Sequence, residues 1–347
     1  MNKFESLLPE ILTYFSNAEL AAADLRQRTL SLCGRHAHIT YSSEILETSL
    51  FKAFEHLEAI ENTAASAFQV FVCDRNVLNR DLPGWTQLTE FSAKDKKIVM
   101  YNAGAIHALY NPDSQVFSLI DITSGQGWYY LPQAADIPYY EKAAPMRMLL
   151  HWWCEAAGRV LVHAAAVGWV SRAVLLAGRG GTGKSTTAML TAQNGFSFLG
   201  DDYVVLDNVC GPAVLSTYNS IKFRWEMFER LPSTKTLSVN DPHTDEKGYF
   251  YLYETHPDSL VKTLPLKAVL LPAIEQRSKT TFVRLPSTRG LLSLAASSIF
   301  QMPGSGESTL KKLADILRDT PVYQMSLGTD SVEIAESLRD FLSSTEK

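Results

Sequence analysis

The stretch LLAGRGGTGKST, residues 175–186, decides how the rest of the chain is interpreted. From Gly178 to Ser185 it matches the pattern G-x-x-x-x-G-K-[ST] in full. The apolar run before the glycines indicates a buried strand, and the residues from Lys184 to Asn194 predict a helix. A strand, a glycine-rich loop and a helix in this order are the setting in which the pattern binds a nucleoside triphosphate. The stretch therefore predicts a P-loop within an α/β domain.

The residue types of this loop suit phosphate binding. Glycine lets backbone N–H groups turn inward around phosphate oxygens, and the start of the helix adds the positive end of its dipole. Lys184 can reach the β- and γ-phosphates, and the Ser185 hydroxyl can bind Mg²⁺. The side chain of Arg179 could face a phosphate or solvent. The predicted nucleotide-binding positions are Gly178, Arg179, Gly180, Gly181, Thr182, Gly183, Lys184, Ser185 and Thr186.

Two adjacent aspartates follow the next predicted strand, in FSFLGDDYVVLD, residues 196–207. Ligands of open α/β sheets bind at the carboxyl ends of strands, so Asp201 and Asp202 are predicted at the site. Adjacent side chains point in different directions. One carboxylate can therefore hold Mg²⁺ while the other accepts a proton from an attacking hydroxyl, and the residues leave open which does which. An aspartate pair in a surface turn is the alternative, and Asp207 is a weaker candidate metal ligand.

A whole apolar strand, VLVHAAAVGWV, residues 160–170, precedes the P-loop strand and is predicted to form a hairpin with it. It carries His163. A lone histidine in an apolar strand is usually a core residue, but the neighbouring P-loop makes a role in the site an equal alternative. Four polar residues further along could face the transferring phosphoryl group, although a solvated loop is favoured for each: Asn219, Lys222, Arg224 and Lys247.

Three motifs in this order, H-x-x-x-V, G-x-x-G-x-G-K-S-T and L-G-D-D, resemble the bifunctional HPr kinase/phosphorylase family over roughly residues 158–210. ATP-dependent phosphoenolpyruvate carboxykinase is a more distant relative of that family. The resemblance implies a P-loop catalytic domain with a mixed sheet. It also implies a kinase that uses ATP and Mg²⁺ to phosphorylate a serine hydroxyl on a protein or peptide. Relatives of this branch look like precursor-peptide kinases in bacterial pathways for ribosomally made peptides.

The same resemblance implies roles for individual residues. Lys184 and Ser185 would serve ATP and Mg²⁺, Asp201 and Asp202 would supply metal binding and the catalytic base, and His163 would lie near the phosphates. The sequence departs from the family where STYNSIKFRWEMFERLP, residues 216–232, replaces the downstream acidic-Arg-Gly-Gly signature. HPr as the acceptor and the reverse phosphorylase activity are therefore not carried over. The substrate and second-metal motifs of a carboxykinase are not visible either.

The composition of the whole chain is that of a globular protein with a full core. Of its 347 residues, 46% are hydrophobic and 20% are charged, with a net charge of −5. No basic block supports nucleic-acid or membrane binding, and no N-K-x-D motif reads guanine. Four scattered cysteines without a CxxC pair predict reduced, mostly buried thiols in a cytoplasmic protein. A homo-oligomer is compatible with the sequence.

The chain is predicted to contain two domains. Residues 1 to about 60 are predicted to be helical apart from a short stretch at Ala37–Tyr41, with an amphipathic helix at the N-terminus. From Phe68 the pattern changes to strands that predict an antiparallel meander: FQVFVC, KIVMYN, AIHALY, QVFSLI and GWYYL. In the second half, helices are predicted over roughly Thr288–Phe300, Ser308–Leu317 and Ser331–Leu342. We therefore predict an α+β domain over residues 1–140, with substrate recruitment as a guess, and a P-loop catalytic domain over residues 141–347.

Two other functions are consistent with the same residues. A kinase of a small-molecule hydroxyl would need the same base and metal as a peptide kinase. A nucleotide-binding regulatory module with little turnover would need the P-loop but not the aspartate pair.

Overall fold

The structure, a computed structural model, describes residues 3–21, 25–59, 68–79, 81–86, 98–231, 234, 237–299, 301–303 and 306–344. The chain divides into two compact units. Unit 1 comprises Met1–Lys52 and Glu58–Trp153, and unit 2 comprises Ala53–Leu57 and Cys154–Lys347. The main division thus falls at Cys154, whereas the sequence predicted a boundary after residue 140. One short segment of the N-terminal half also belongs to unit 2.

The helices of unit 1 include α1 Lys3–Ala21, α2 Ile45–Ser49, α3 Arg75–Leu78, α4 Tyr139–Ala143 and most of α5 Arg147–Ala156, with a 3₁₀ turn at Ala134–Asp136. A further 3₁₀ turn, Phe51–Leu57, begins in unit 1 and ends in unit 2. Its strands are β1 Arg26–Leu32, β2 Arg35–Tyr41, β3 Phe68–Asp74, β4 Val99–Ala103, β5 Ile106–Asn111, β6 Val116–Asp121 and β7 Gln126–Leu131. They form one sheet in the order β1-β2-β3-β7-β6-β5-β4. The amphipathic N-terminal helix is confirmed, since Ile11 and Phe15 on its apolar side are fully buried.

The prediction that residues 1 to about 60 are mainly helical is wrong at residues 26–36, and the excepted stretch Ala37–Tyr41 is part of strand β2. Strands β1 and β2 form an antiparallel hairpin there. The turn residues Cys33 and Gly34 both have positive φ, at 50° and 69°, which suits a two-residue hairpin turn. Leu30 and Leu32 alternate with less buried residues, so the strand period was present in the sequence.

The predicted meander is correct for β4 to β7, which pair antiparallel in sequence order. It is wrong for β3, which runs parallel to both β2 and β7. The residues FQVFVC are apolar on both faces of the strand, as suits a central parallel strand covered on both sides. Lys97, the first residue of the predicted strand KIVMYN, lies outside the described residues.

The strands of unit 2 are β8 Val160–Val162, β9 Ala165–Trp169, β10 Arg172–Leu176, β11 Ser197–Gly200, β12 Val204–Asp207, β13 Ala213–Leu215, β14 Ser220–Arg224, β15 Lys247–Tyr251, β16 Thr263–Arg277, β17 Thr281–Leu285 and β18 Val322–Gly328. Its helices are α6 Lys184–Gln193, α7 Trp225–Arg230, α8 Ser287–Ile299, α9 Glu307–Asp319 and α10 Ser331–Ser343, with 3₁₀ turns at Leu252–Glu254 and Pro257–Ser259. The predicted helix over residues 288–300 is confirmed through Ile299, and Phe300 lies outside the described residues.

The main sheet of unit 2 is mixed and has the order β11-β9-β10-β16-β13-β12-β8, with β18 joining it beside β16 and β17 beside β18. Apolar residues cover both of its faces. On β10, Val174 and Leu176 enter one core with α6 and α10, whereas Ala173 and Leu175 enter the other with α8 and α9. This arrangement explains why the strand before the P-loop is apolar without alternation, and it confirms a mixed α/β fold.

The strand predicted over residues 160–170 is in fact two strands. β8 pairs with β12, and β9 pairs with β10 and β11, so the chain changes neighbours at His163 and Ala164. The predicted hairpin with the P-loop strand is correct for β9. His163 therefore lies at a break between strands, where its side chain is not confined to either core.

The described residues contain no helix that is both long and apolar enough to cross a membrane. No disulfide joins the four cysteines, and Cys33, Cys73 and Cys154 are buried while Cys210 is exposed, so the prediction of mostly buried thiols is confirmed.

Candidate functional site

Three separate segments of unit 2 reach the same edge of its sheet. Leu176, at the end of β10, lies opposite Ala165, at the start of β9, and Gly200, at the end of β11, lies opposite Ala166. The P-loop after β10, the aspartate pair after β11 and His163 before β9 therefore leave the sheet side by side. Carboxyl ends of parallel strands are where ligands bind in open α/β sheets.

Glycines of the P-loop adopt the positive φ angles that make glycine favourable in such a loop. Gly181 has φ +83° and Gly183, which caps the N-terminus of α6, has φ +104°. A Cβ at Gly183 would lie 2.7 Å from the side chain of Leu327, whereas a Cβ at Gly181 would meet nothing within 4 Å. No described residue accepts a hydrogen bond from the N–H groups of Gly180, Gly181 or Gly183. Free donors at a helix N-terminus suit an anion.

Lys184 is buried at the start of α6. Its ammonium group donates hydrogen bonds to the carbonyls of Gly178 at 2.7 Å and Arg179 at 3.0 Å. Burial lowers its pKa, the nearby Lys247 acts in the same direction, and Asp201 and Asp202 oppose them. The ammonium group thus lies between the loop and the aspartate pair, where a phosphate bound to the loop would offer it a partner.

Asp201 is almost fully buried. Its Oδ2 accepts a hydrogen bond from the Lys222 backbone N–H at 3.3 Å, while its Oδ1 has no partner among the described residues. Burial and the neighbouring Asp202 raise the pKa of Asp201, against the effects of the Ser185 hydroxyl and Lys184. A buried carboxylate with one oxygen unsatisfied, beside the P-loop serine, requires a cation or a proton.

Asp202 faces different partners. Its Oδ1 lies 3.0 Å from Nε2 of His163, and its Oδ2 forms an ion pair with Lys222. Burial raises its pKa, but Lys222 and His163 outweigh burial and hold the pKa well below the usual value. Its φ of +69° and the hydrogen bond from Tyr203 N–H to Asp201 C=O describe a tight three-residue turn, a strained conformation for a residue other than glycine. The two carboxylates thus share Lys222 but differ in their other neighbours, Ser185 for Asp201 and His163 for Asp202.

His163 is held from its backbone as well as from its ring. Its N–H donates to the Ser298 hydroxyl at 3.0 Å, and the Ser297 hydroxyl donates to its carbonyl at 3.2 Å. Tyr203 packs edge-on against the ring at 5.6 Å. With Asp202 on Nε2, the buried Nδ1 of the ring has no partner among the described residues. These contacts therefore favour a role for His163 in the site over its interpretation as a core residue with all its hydrogen bonds made.

Lys222 lies in the site, although the sequence favoured a solvated loop for it. It lies on β14, where Ile221 and Phe223 enter the core and Lys222 points away from it, and both its N–H and its ammonium group contact the aspartate pair. The alternation S-I-K-F-R directly after the second motif was the available signal. A pairing between residues this far apart on different elements has no local signature.

The remaining residues that the sequence proposed for the site make no contact with the aspartate pair among the hydrogen bonds and ion pairs of the described residues. Asp207 forms a 2.9 Å ion pair with Arg159 at the far end of β12, so it is held by another partner. The side chain of Arg179 is exposed, and Thr182 donates to its carbonyl at 3.0 Å. Asn219 is fully buried and Arg224 is exposed. Thr186 is half-buried on α6.

The donor set suits Mg²⁺. This ion takes oxygen ligands and is commonly held by one or two carboxylates together with substrate phosphates. The unsatisfied Oδ1 of Asp201 and the nearby Ser185 hydroxyl provide such oxygens. Among the described residues, no group of three or more His, Cys, Asp or Glu side chains is arranged to hold a metal ion.

Comparisons with known proteins give a distant structural likeness. No model of a known protein family matches the chain, and no curated protein does. Among solved structures, the chain is similar to the HPr(Ser) kinase/phosphatase of Coxiella burnetii, with 10% identity over 52% of this chain and 92% of that one, at a TM-score of 0.30. A TM-score this low does not establish a shared fold, so the residues of the site themselves must support any function.

Proposed function

We propose that the protein is an ATP- and Mg²⁺-dependent kinase that transfers the γ-phosphoryl group to a serine hydroxyl of a peptide or protein. One observation carries the proposal: the free N–H donors of the P-loop and the unsatisfied Oδ1 of Asp201 lie at the same edge of the sheet as a second carboxylate, Asp202, held by His163. A module that only binds nucleotide would need the P-loop donors and Asp201, but it would not need Asp202 and His163.

The P-loop side of the site would bind the nucleotide. The N–H groups of Gly180, Gly181 and Gly183 and the start of α6 would surround the phosphates. Lys184 would exchange its loop carbonyls for phosphate oxygens, a favourable exchange because the group is buried and positively charged. Ser185 and Asp201 would hold Mg²⁺, which would neutralise charge on the phosphates as the reaction proceeds.

The Asp202 side of the site would receive the acceptor. The serine oxygen would form a bond to the γ-phosphorus while the bond from that phosphorus to the β–γ bridging oxygen breaks, which releases ADP. The hydroxyl proton would pass to the Asp202 carboxylate, which His163 orients. Because Asp202 is ionised throughout the neutral range, it is ready to accept the proton. In a loose phosphoryl-transfer transition state the acceptor needs orientation more than early deprotonation.

The choice of a serine in a peptide or protein rests on the motif order that resembles HPr kinases. A cytoplasmic location rests on the four scattered cysteines without a CxxC pair. No contact among the described residues selects the acceptor. A small-molecule hydroxyl would use the same base and metal, and the experiment below separates the two.

The test is transfer of label from γ-labelled ATP into a lysate of the source organism, with products separated by size. Wild type is compared with Asp202→Asn and with Asp319→Asn, an exposed aspartate on α9 as the matched control. We expect label in a peptide or protein band that Asp202→Asn loses and Asp319→Asn keeps. Label confined to small molecules would replace the peptide acceptor with a metabolite. ATP binding without any transfer would support a regulatory module and overturn the proposal.

A further inference from the structure

The ribbon of β14 and β15 presents one of its faces to the candidate site. Ile221, Phe223 and Phe250 on the other face belong to the core of unit 2. Side chains alternate along a strand and directly paired residues share a face. Lys222 pairs with Tyr249, and Arg224 pairs with Lys247. Because Lys222 reaches the aspartate pair, Lys247 lies on the face of the ribbon that borders the site.

Lys247 is half-buried, and a lysine in such a position normally has a charged partner. It forms no ion pair with any carboxylate of the described residues. It lies close enough to Lys184 that its charge affects the P-loop lysine. Two ammonium groups held near each other in a partly buried site repel, and an anion between them removes that cost. The unpaired N–H groups of the P-loop point to the same kind of ligand.

Two side chains, Asn240 and Trp225, hold the backbone around Lys247. Asn240 donates from Nδ2 to the Lys247 carbonyl and to Asp245 Oδ2, both at 2.8 Å, and accepts from the Tyr249 N–H at 3.0 Å. Trp225 Nε1 donates to the Asp245 carbonyl at 2.7 Å. The connection between the two strands is therefore tied down on both sides of Lys247, so the position of this lysine is built into the fold.

We infer that Lys247 contacts the γ-phosphoryl group of the bound nucleotide from the side opposite Lys184, and that Asn240 is its positioning residue. The inference deepens the proposed function and rests on it. In phosphoryl transfer, a cation that contacts the transferring group stabilises the charge of the transition state and so raises the rate substantially. Preorganised hydrogen-bond donors in other active sites have an effect of the same kind. Lys247 would supply that charge from the ribbon, independently of the P-loop.

The test compares the affinities for ATP and ADP, with Mg²⁺ present, in wild type, Lys247→Met, Lys247→Arg and Asn240→Ala. Lys311→Met, an exposed lysine on α9, is the matched control. We expect Lys247→Met to reduce the preference for ATP over ADP by about tenfold while ADP affinity is unchanged, because only ATP carries the γ-phosphoryl group. Lys247→Arg should keep much of the preference, and Asn240→Ala should lose part of it. The control should match wild type.

An unchanged preference in Lys247→Met would overturn the inference, as would an equal loss of affinity for both nucleotides. Asn240→Ala provides the second route if Lys247→Met does not fold. Once an acceptor is known, the turnover number of Lys247→Met should fall by about 10²- to 10³-fold. Because the binding readout needs no acceptor, the inference can fail while phosphate transfer stands. An absence of transfer in wild type would instead reject the proposed function and leave the binding result intact.

Discussion

The ion pair between Asp202 and Lys222 makes the stability of unit 2 depend on both partners. The side chains are only 21% and 11% exposed, so removing one leaves a buried charge without compensation. We predict that Lys222→Met lowers the free energy of unfolding by about 3 kcal/mol or more. Adding Asp202→Asn to Lys222→Met should restore much of that loss, because the uncompensated carboxylate is gone. Denaturant unfolding of the two single variants and the double variant measures this coupling. Additive effects would show that the pair contributes no such dependence.

Asp202 also predicts the direction of a pH effect. A carboxylate whose pKa is lower in the folded state than its usual 3.8 contributes stability above that value and loses it as the pH falls through the folded pKa. Asp201 has the opposite sign. Its pKa is raised, so its contribution to stability is greatest below pH 3.8 and is lost as the pH rises through the folded value.

Asp201 should therefore oppose folding at neutral pH while serving the function. We predict that Asp201→Asn raises the thermal midpoint at pH 7 in the absence of ligands, and that the difference from wild type shrinks as the pH falls below about 4. The same change should lower phosphate transfer by about 10²-fold or more, since it removes a charged oxygen proposed to hold Mg²⁺. Thermal unfolding across pH and a transfer assay check the two parts. A lower midpoint at pH 7 would show that the carboxylate is satisfied in the free protein.

At the scale of elements, one glycine in the P-loop and one just after α6 have almost the same φ. Gly181 has φ +83° and Gly195 has φ +82°, and a Cβ would meet nothing within 4 Å at either. Alanine at each position should cost a similar 1–2 kcal/mol, because only the left-handed conformation is penalised. We predict that Gly181→Ala weakens ATP binding by tenfold or more, since its N–H is proposed to face the phosphates, while Gly195→Ala leaves it unchanged. Chemical denaturation and ATP titration give both quantities. Equal ATP affinity in the two variants would place the phosphates elsewhere.

The elements that the sequence predicted correctly are those whose signals are local. The strand, loop and helix around Lys184 follow from periodicity and glycine content within one short window, and so do the helices over residues 287–299, 307–319 and 331–343. The hairpin at residues 26–41 was missed although its alternation and its Cys33-Gly34 turn are also local, because polar residues on its exposed positions masked the strand period.

The parts that could not be predicted depend on which strands become neighbours. The break at His163 exists because β8 pairs with β12 and β9 with β10, and nothing in VLVHAAAVGWV marks a change of partner. The contact between Lys222 and Asp202 likewise requires the ribbon to fold back over the site. Such long-range pairings are set by the whole sheet and are not contained in either segment.

At the scale of the whole molecule, the 3₁₀ turn Phe51–Leu57 divides its residues between the two units. Phe51 belongs to unit 1, where its ring lies 4.6 Å from that of Tyr41. Phe54 belongs to unit 2, where its ring lies 5.3 Å from that of Tyr218, and the Ala53 carbonyl accepts a hydrogen bond from the Asn219 N–H. A chain shortened to its C-terminal half would thus lose part of unit 2, so truncation is a poor test of what unit 1 does.

Point variants in the full chain avoid this problem. Phe51 and Phe54 are both fully buried, so alanine should destabilise the surrounding unit by about 3–5 kcal/mol in each case. ATP stabilises only the unit that binds it, which we expect to be unit 2. We predict that Phe54→Ala lowers the unfolding transition that ATP raises, and that Phe51→Ala lowers a transition that ATP leaves in place. Calorimetric scans with and without Mg²⁺ and ATP distinguish the two. If both variants lower the ATP-sensitive transition alike, the units unfold together, and the N-terminal half contributes to the stability of the nucleotide site itself.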